Sequence, residues 1–264
     1  MAVAQQRIVN DTLYAHSTGQ RHPVVLLLPE GYDPQVRYPI LYLLHGYGGG
    51  CRDWTERTGI EEFLSSWPLI VVMPDAGNSW YVDSPVDSSA QYESYIVRDV
   101  RSYVESRYGV DSSRRSIAGL SMGGYGALML AMRHADLFRF AGSLSGAIVV
   151  PGSLRRSDDV PSRPAIRATQ KAVFGEPTEE VLDRYDLSRL SKTLTPKTAP
   201  YLYFVTGIQD GLVEFLPAQR ALTDQLRASK LPYEYHETPG GHSWTFWDRE
   251  IRPLLLRMRE VLDY

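Results

Sequence analysis

The chain has 264 residues, 43% of them hydrophobic and 22% charged, with a formal net charge of −3. That balance is globular and has no basic block, which argues against nucleic acid or an anionic membrane surface as a partner. The single cysteine, Cys51, excludes an intrachain disulfide and a cysteine-based metal cluster, and is read as a free thiol.

The length suits one large α/β domain spanning 1–264. No apolar run reaches the roughly 18 residues that a membrane helix needs. The opening Met1-Ala2-Val3-Ala4-Gln5-Gln6-Arg7 lacks the apolar core of an export signal, so a cytoplasmic protein is expected. Along the chain, 24–28 and 40–44 are apolar strands bracketing a turn rich in Pro, Gly and Asp. A third buried strand, 69–73, is closed by Pro74. The stretch 92–108 has helical spacing, with Tyr95, Ile96, Val100 and Tyr103 on one side. Residues 116–118 read as the end of a short buried strand, 125–132 as a buried helix and 141–144 as another strand. The polar, proline-rich stretch 151–200 is read as a lid-like, mostly irregular excursion with a short helical pattern at 179–184. It is too short and too polar to build its own core. A strand at 202–206, an amphipathic helix at 214–226, a strand at 233–237 and a helix at 245–262 complete the chain. Buried strands alternating with helices predict a mostly parallel central sheet covered on both faces, with the small irregular insertion over its C-terminal edge.

The stretch between the 116–118 strand and its helix carries the chemistry. Gly119-Leu120-Ser121-Met122-Gly123 matches G-x-S-x-G, a strained strand-to-helix turn that lifts a serine hydroxyl clear of the sheet. The turn is so sharp that the positions two before and two after the serine approach each other, where a Cβ would clash. The pattern alone is weak, and the flanking strand and helix make it specific.

A serine hydroxyl needs a histidine to take its proton and a carboxylate to orient that histidine. In this architecture their chain order is serine, acid, histidine. His16, His22 and His45 precede the turn, His134 sits late in the following helix, and His236 lies within a strand pattern. His242 follows Pro239-Gly240-Gly241 on a loop between the last strand and the last helix, and is the candidate base. Asp210, in Thr206-Gly207-Ile208-Gln209-Asp210-Gly211 after a strand, is the candidate acid at the C-terminal sheet edge. Glu214 is the alternative acid; Asp75 also ends a strand but precedes the serine. An oxyanion hole needs two backbone N–H groups. Met122 after the serine should supply one, and Tyr47 in His45-Gly46-Tyr47-Gly48-Gly49-Gly50 the other. His45 is expected to brace that loop. Tyr47, Trp80, Tyr81 and Trp244 flank the catalytic loops as candidate pocket walls. They suit small or flat aromatic acyl groups over long chains.

Several stretches together resemble the esterase D family of α/β-hydrolases. They are Arg37-Tyr38-Pro39-Ile40-Leu41-Tyr42-Leu43-Leu44-His45-Gly46, Met73-Pro74-Asp75-Ala76-Gly77-Asn78-Ser79-Trp80-Tyr81, the serine turn with Gly124-Tyr125-Gly126-Ala127, and Gly240-Gly241-His242-Ser243-Trp244. The resemblance implies an α/β-hydrolase fold, a triad at Ser121, Asp210 and His242, and a pocket-lining role for 73–81. It implies a cofactor-free, metal-free serine esterase acting on small-molecule short-chain acyl or hydroxycinnamoyl (feruloyl-type) esters. A homo-oligomer is compatible with it. S-formylglutathione hydrolysis is the alternative within the family, although Gly48-Gly49-Gly50-Cys51 stands where those enzymes carry a threonine-cysteine pair. A noncatalytic binding protein of the same fold is the alternative outside enzymes; an intact triad argues against it.

Overall fold

The run Tyr38–Leu44 is buried at every position, which only a strand covered on both faces allows. A computed structural model of the protein, describing residues 7–155, 164–212 and 214–264, places it at the centre of an eight-stranded sheet. The strands are β1 (Arg7–Ala15), β2 (Gln20–Leu28), β3 (Tyr38–Leu44), β4 (Ile70–Pro74), β5 (Val110–Leu120), β6 (Phe140–Leu144), β7 (Tyr201–Gly207) and β8 (Tyr233–Thr238). Their order is β1-β2-β4-β3-β5-β6-β7-β8. Pairing is antiparallel for β1–β2 and β2–β4 and parallel from β4 to β8. This is the α/β-hydrolase fold.

Alternation along the strands divides the core into two layers. Ile40, Tyr42 and Leu44 join one apolar cluster with Leu128 and Leu130 of the helix Met122–Arg133. Leu41 and Leu43 join the other, with Ile251, Leu254 and Leu255 of the final helix, Trp244–Leu262. The helix Met122–Arg133 is buried from Met122 through Met132, so its placement against the sheet is fixed along its whole length. Among the described residues no helix is long and apolar enough to cross a membrane.

Three elements differ from the sequence-based expectation. First, β1 was not anticipated. It is an edge strand whose inward residues Leu13 and Ala15 are buried while Ile8 and Tyr14 face out, so its apolar residues mark no continuous run. Second, 92–108 is not one regular helix. It runs as Tyr92–Ser94, a π-helical Tyr95–Val100, and Arg101–Glu105. Tyr95, Ile96 and Val97 are consecutive and all buried, a pattern that one stripe of a 3.6-residue helix accommodates poorly. Third, 151–200 is more helical than expected. The described part contains helices Pro164–Phe174, Glu179–Tyr185 and Leu187–Leu190. Residues 156–163 of that excursion lie outside the described residues. Phe174 anchors the first of these helices by packing between Trp80, Tyr125 and Tyr185, with ring centroids 6.0–6.3 Å away.

A buried ion network ties the same excursion to the core. Glu93, only 4% exposed at its side chain, accepts hydrogen bonds from Arg133 Nε at 2.8 Å and His134 Nε2 at 2.7 Å. Arg133 Nη1 also donates to the Arg184 carbonyl oxygen. Burial alone would raise the Glu93 carboxyl, but the His134 and Arg133 bonds outweigh it and hold the group below its ordinary value of 4.5. A depressed carboxylate contributes stability above its unfolded pKa and loses it as pH falls through the folded one. Glu93→Gln should therefore cost about 2 kcal/mol at pH 7, and the gap from wild type should close as pH drops below 4.5. Urea midpoints of both proteins across that range test this. A gap that stays constant with pH would show that the carboxylate charge contributes nothing.

Candidate active site

β5 ends at Leu120 and the helix starts at Met122, leaving Ser121 alone to make the turn. Its backbone sits at φ +52°, ψ −114°, a conformation that costs a non-glycine residue on the order of 1–3 kcal/mol. The surroundings fix it. Ser121 N–H donates to the Leu144 carbonyl at 2.9 Å, and its own carbonyl accepts from Tyr125 and Ala147, each at 3.0 Å. The flanking glycines are required sterically. A Cβ on Gly119 would lie 2.5 Å from the Gly123 carbonyl oxygen. One on Gly123 would lie 2.5 Å from the His45 and 2.7 Å from the Leu44 carbonyl oxygens. The second glycine thus also lets the loop after β3 lie directly on the turn.

Two further loops bring the polar groups to Ser121. The loop after β7 and the loop after β8 are joined by Ile208 N–H to the Thr238 carbonyl and Gln209 N–H to the Gly240 carbonyl, both 2.9 Å. That pairing sets Asp210 beside His242. His242 Nδ1 donates to Asp210 Oδ2 at 2.8 Å, and His242 Nε2 accepts from Ser121 Oγ at 2.9 Å. The Asp210 side chain is 2% exposed and that of His242 15%. Asp210 Oδ1 is held by the Leu212 N–H at 3.0 Å, so the carboxylate cannot rotate freely away from the imidazole. Glu214 makes no hydrogen bond to His242 among the described residues; it stands at the start of the helix Phe215–Ala228.

The loop after β3 runs beside the serine, where a Cβ on Gly46 would come within 3.7 Å of Ser121 Cβ. His45 is the brace of this loop. Its Nε2 accepts from the Ala76 N–H at 3.0 Å, so its Nδ1 carries the proton and donates to the Gly46 carbonyl at 2.8 Å. Burial holds this imidazole below its ordinary pKa and therefore neutral. Met122 opens its helix, so its N–H has no intrahelical acceptor. Gly46, on one side of Tyr47, is held through its carbonyl by His45 Nδ1, and Gly48, on the other side, donates its N–H to Asn78 Oδ1 at 2.7 Å. Burial pushes the nearby Cys51 thiol up to about 11, making it a poor nucleophile at neutral pH.

These groups lie in a cavity of about 310 Å³ that Tyr47, Trp80, Trp244, Ser121 and His242 all line. Tyr81 does not line it. This candidate wall is fully buried, with its ring against the Gly126 backbone and its hydroxyl donating to the His45 carbonyl at 2.9 Å. Trp80 and Tyr81 both have positive φ, +56° and +59°. The neighbours are thus divided between cavity wall and loop support. Sequence reasoning did not anticipate Phe215 and Trp247, which line the cavity and pack on His242, or Ile166 and Gln170 of the helix Pro164–Phe174, which also line it. The only sequence signal for Trp247 is its spacing three residues after Trp244, on the same side of a helix start.

Known proteins bear on this geometry. A family model described as "Putative esterase" matches residues 15–258. The chain is 30% identical over 244 residues to Esterase Rv1288 of Mycobacterium tuberculosis, covering 83% of this chain and 52% of that protein. It therefore spans about half the length of that relative. It is 28% identical over 227 residues to an acetyl esterase of Caldicellulosiruptor saccharolyticus, covering 84% of each. A solved ferulic acid esterase superposes with a TM-score of 0.79 at 24% identity, covering 98% of this chain and 99% of that one; at that identity the likeness speaks to the fold.

Proposed function

Since the chain belongs to the Esterase family, we propose that it is a serine carboxylesterase acting on short-chain acyl or hydroxycinnamoyl esters. The proposed triad is Ser121, His242 and Asp210, with the Tyr47 and Met122 N–H groups as oxyanion donors. The observation that carries this reading is the unbroken relay from Ser121 Oγ to His242 Nε2 at 2.9 Å and from His242 Nδ1 to Asp210 Oδ2 at 2.8 Å. Ser121 Oγ attacks the ester carbonyl as its proton passes to His242 Nε2. The carbonyl electrons move onto oxygen, where two backbone N–H groups hold the charge. Collapse of that intermediate breaks the bond to the alcohol, which leaves with the proton from His242. Water then attacks the acyl-Ser121 ester, His242 takes its proton and returns it to Ser121 Oγ, and the carboxylic acid departs. No step calls for a metal or cofactor.

A fluorophosphonate probe tests the reading. Wild type should be labelled on Ser121, and both Ser121→Ala and His242→Ala should lose labelling. Labelling at a different residue would overturn the assignment.

The walls bear on the acyl group. At about 310 Å³ the cavity is at the small end of ligand sites, about 300–1,000 Å³. Trp80, Tyr47 and Trp244 supply flat apolar faces. Each methylene buried in a continuous channel would add about 0.8 kcal/mol, and a cavity of about 310 Å³ leaves little room for a long one. We expect kcat/KM to peak among acetate, butyrate and methyl ferulate and to fall for octanoate and palmitate. S-formylglutathione belongs in the same series as the thioester alternative. A steady rise out to palmitate would show a long apolar channel and remove this reading of the pocket.

A further inference from the structure

His242 is held by more than Asp210 and Ser121. The Trp247 ring stands perpendicular to the imidazole, with centroids 4.9 Å apart and planes at 87°. Phe215 lies on it from another direction at 5.9 Å and 74°. The two hydrogen bonds of His242 fix the two nitrogens along one line. They act only at the nitrogens, so the remaining play of the ring within its side-chain torsions is limited by what packs on it, and neighbouring aromatic rings can limit it only if they are themselves immobile.

Trp247 is immobilised. It is 6% exposed, it lies one turn into the final helix, and its indole Nε1–H donates to Ser145 Oγ at 3.3 Å. Ser145 is fully buried and directly follows β6. Its backbone is at φ +48°, and its N–H donates to the Val205 carbonyl on β7 at 2.8 Å. The Trp247 ring also meets the Trp244 ring at 5.2 Å and 88°. Trp244 in turn packs edge-on against Trp54 at 5.6 Å. A chain of rings thus runs from the imidazole to the helix Asp53–Arg57, with a hydrogen bond to the sheet edge in the middle.

We propose that Trp247, anchored by Ser145, is a positioning residue that fixes the plane of the His242 imidazole for proton transfer. The inference rests on the triad reading above. A base misplaced by about 1 Å can lose on the order of a hundredfold in rate. Trp247→Ala should therefore lower kcat about a hundredfold while KM changes less than about twofold. Trp247→Phe keeps a perpendicular ring without the anchor, and Ser145→Ala keeps the ring and removes only the acceptor. Each should lower kcat by about three- to tenfold.

The experiment measures kcat and KM for acetate and butyrate esters of one alcohol in all three variants, together with the downfield proton resonance of the His242–Asp210 hydrogen bond. The expected result is a kcat loss of equal factor on both esters, with that resonance shifted or broadened. Unchanged kcat in Trp247→Phe and Ser145→Ala, with the resonance intact, would overturn the proposal. So would a loss carried by KM and growing with acyl size, because Trp247 would then be a pocket wall only. His242→Ala serves as the reference. If it retains activity the triad reading fails, whereas if it is inactive while the Trp247 and Ser145 variants match wild type, the positioning role alone fails.

Discussion

Ser121→Ala and His242→Ala should each lower kcat by on the order of 10⁶ while leaving the fold in place. The reason lies in how the two groups depend on each other. Without His242 Nε2 at 2.9 Å, the Ser121 hydroxyl keeps its proton and is no better a nucleophile than water. Without Ser121 the imidazole has no positioned oxygen to activate. Either loss removes the same step, so the double variant should be little worse than either single one. What remains is whatever the oxyanion donors and binding give alone, roughly 10³–10⁴ over the uncatalysed reaction. Stability should barely move in the serine variant, because alanine at φ +52° inherits the same strain and the two bonds to the Ser121 carbonyl are backbone bonds. Steady-state hydrolysis of a butyrate ester, with circular dichroism melts as the control for folding, checks this. More than about a hundredth of wild-type activity in pure Ser121→Ala protein would remove Ser121 from the mechanism, because bulk water cannot replace an oriented nucleophile that well.

The sequence was most readable where burial on both faces leaves a continuous apolar run. β3, β4 and the end of β5 are of that kind, and the loops that follow strand ends located Ser121, Asp210 and His242, which the structure brings within hydrogen-bond reach of one another. The parts that were not readable share a different physics. β1 alternates, and two of its large apolar residues face out, so it resembles a loop until its partner β2 is known. The helix Pro164–Phe174 turns few residues inward, Gln170 and Phe174 being its buried ones. Its existence depends on a slot made by Trp80, Tyr125 and Tyr185, three side chains distant in sequence. Tyr81 and Trp80 are adjacent in a loop and look equivalent, yet two successive positive φ values give them different surroundings, and no local pattern encodes that. Trp247 reads as ordinary helix packing because its contact with His242 exists only once the two strand-end loops are paired.

The choice between Asp210 and Glu214 as the acid has the second largest expected effect. Both lie after β7, both line or adjoin the cavity, and four residues separate them. Their geometry differs. Asp210 Oδ2 accepts directly from His242 Nδ1 at 2.8 Å and is almost fully buried, where an ion pair with the transient imidazolium is screened little by water. Glu214 begins a helix and has no hydrogen bond to the imidazole among the described residues. Asp210→Asn keeps the volume and the Leu212 contact but removes the charge, and an amide NH₂ facing Nδ1 forces the proton onto Nε2. That nitrogen can then no longer accept the Ser121 proton. The expected loss in kcat is about 10⁴. Glu214→Gln should stay within about threefold of wild type, the scale of a lost exposed polar contact. Raising the pH should not rescue Asp210→Asn, because the defect is a tautomer and not a titration. Measuring kcat for both variants on one short-chain ester between pH 6 and 9 decides the matter. Wild-type turnover in Asp210→Asn would move the orienting role off Asp210, and a collapse in Glu214→Gln at the same time would move it to Glu214.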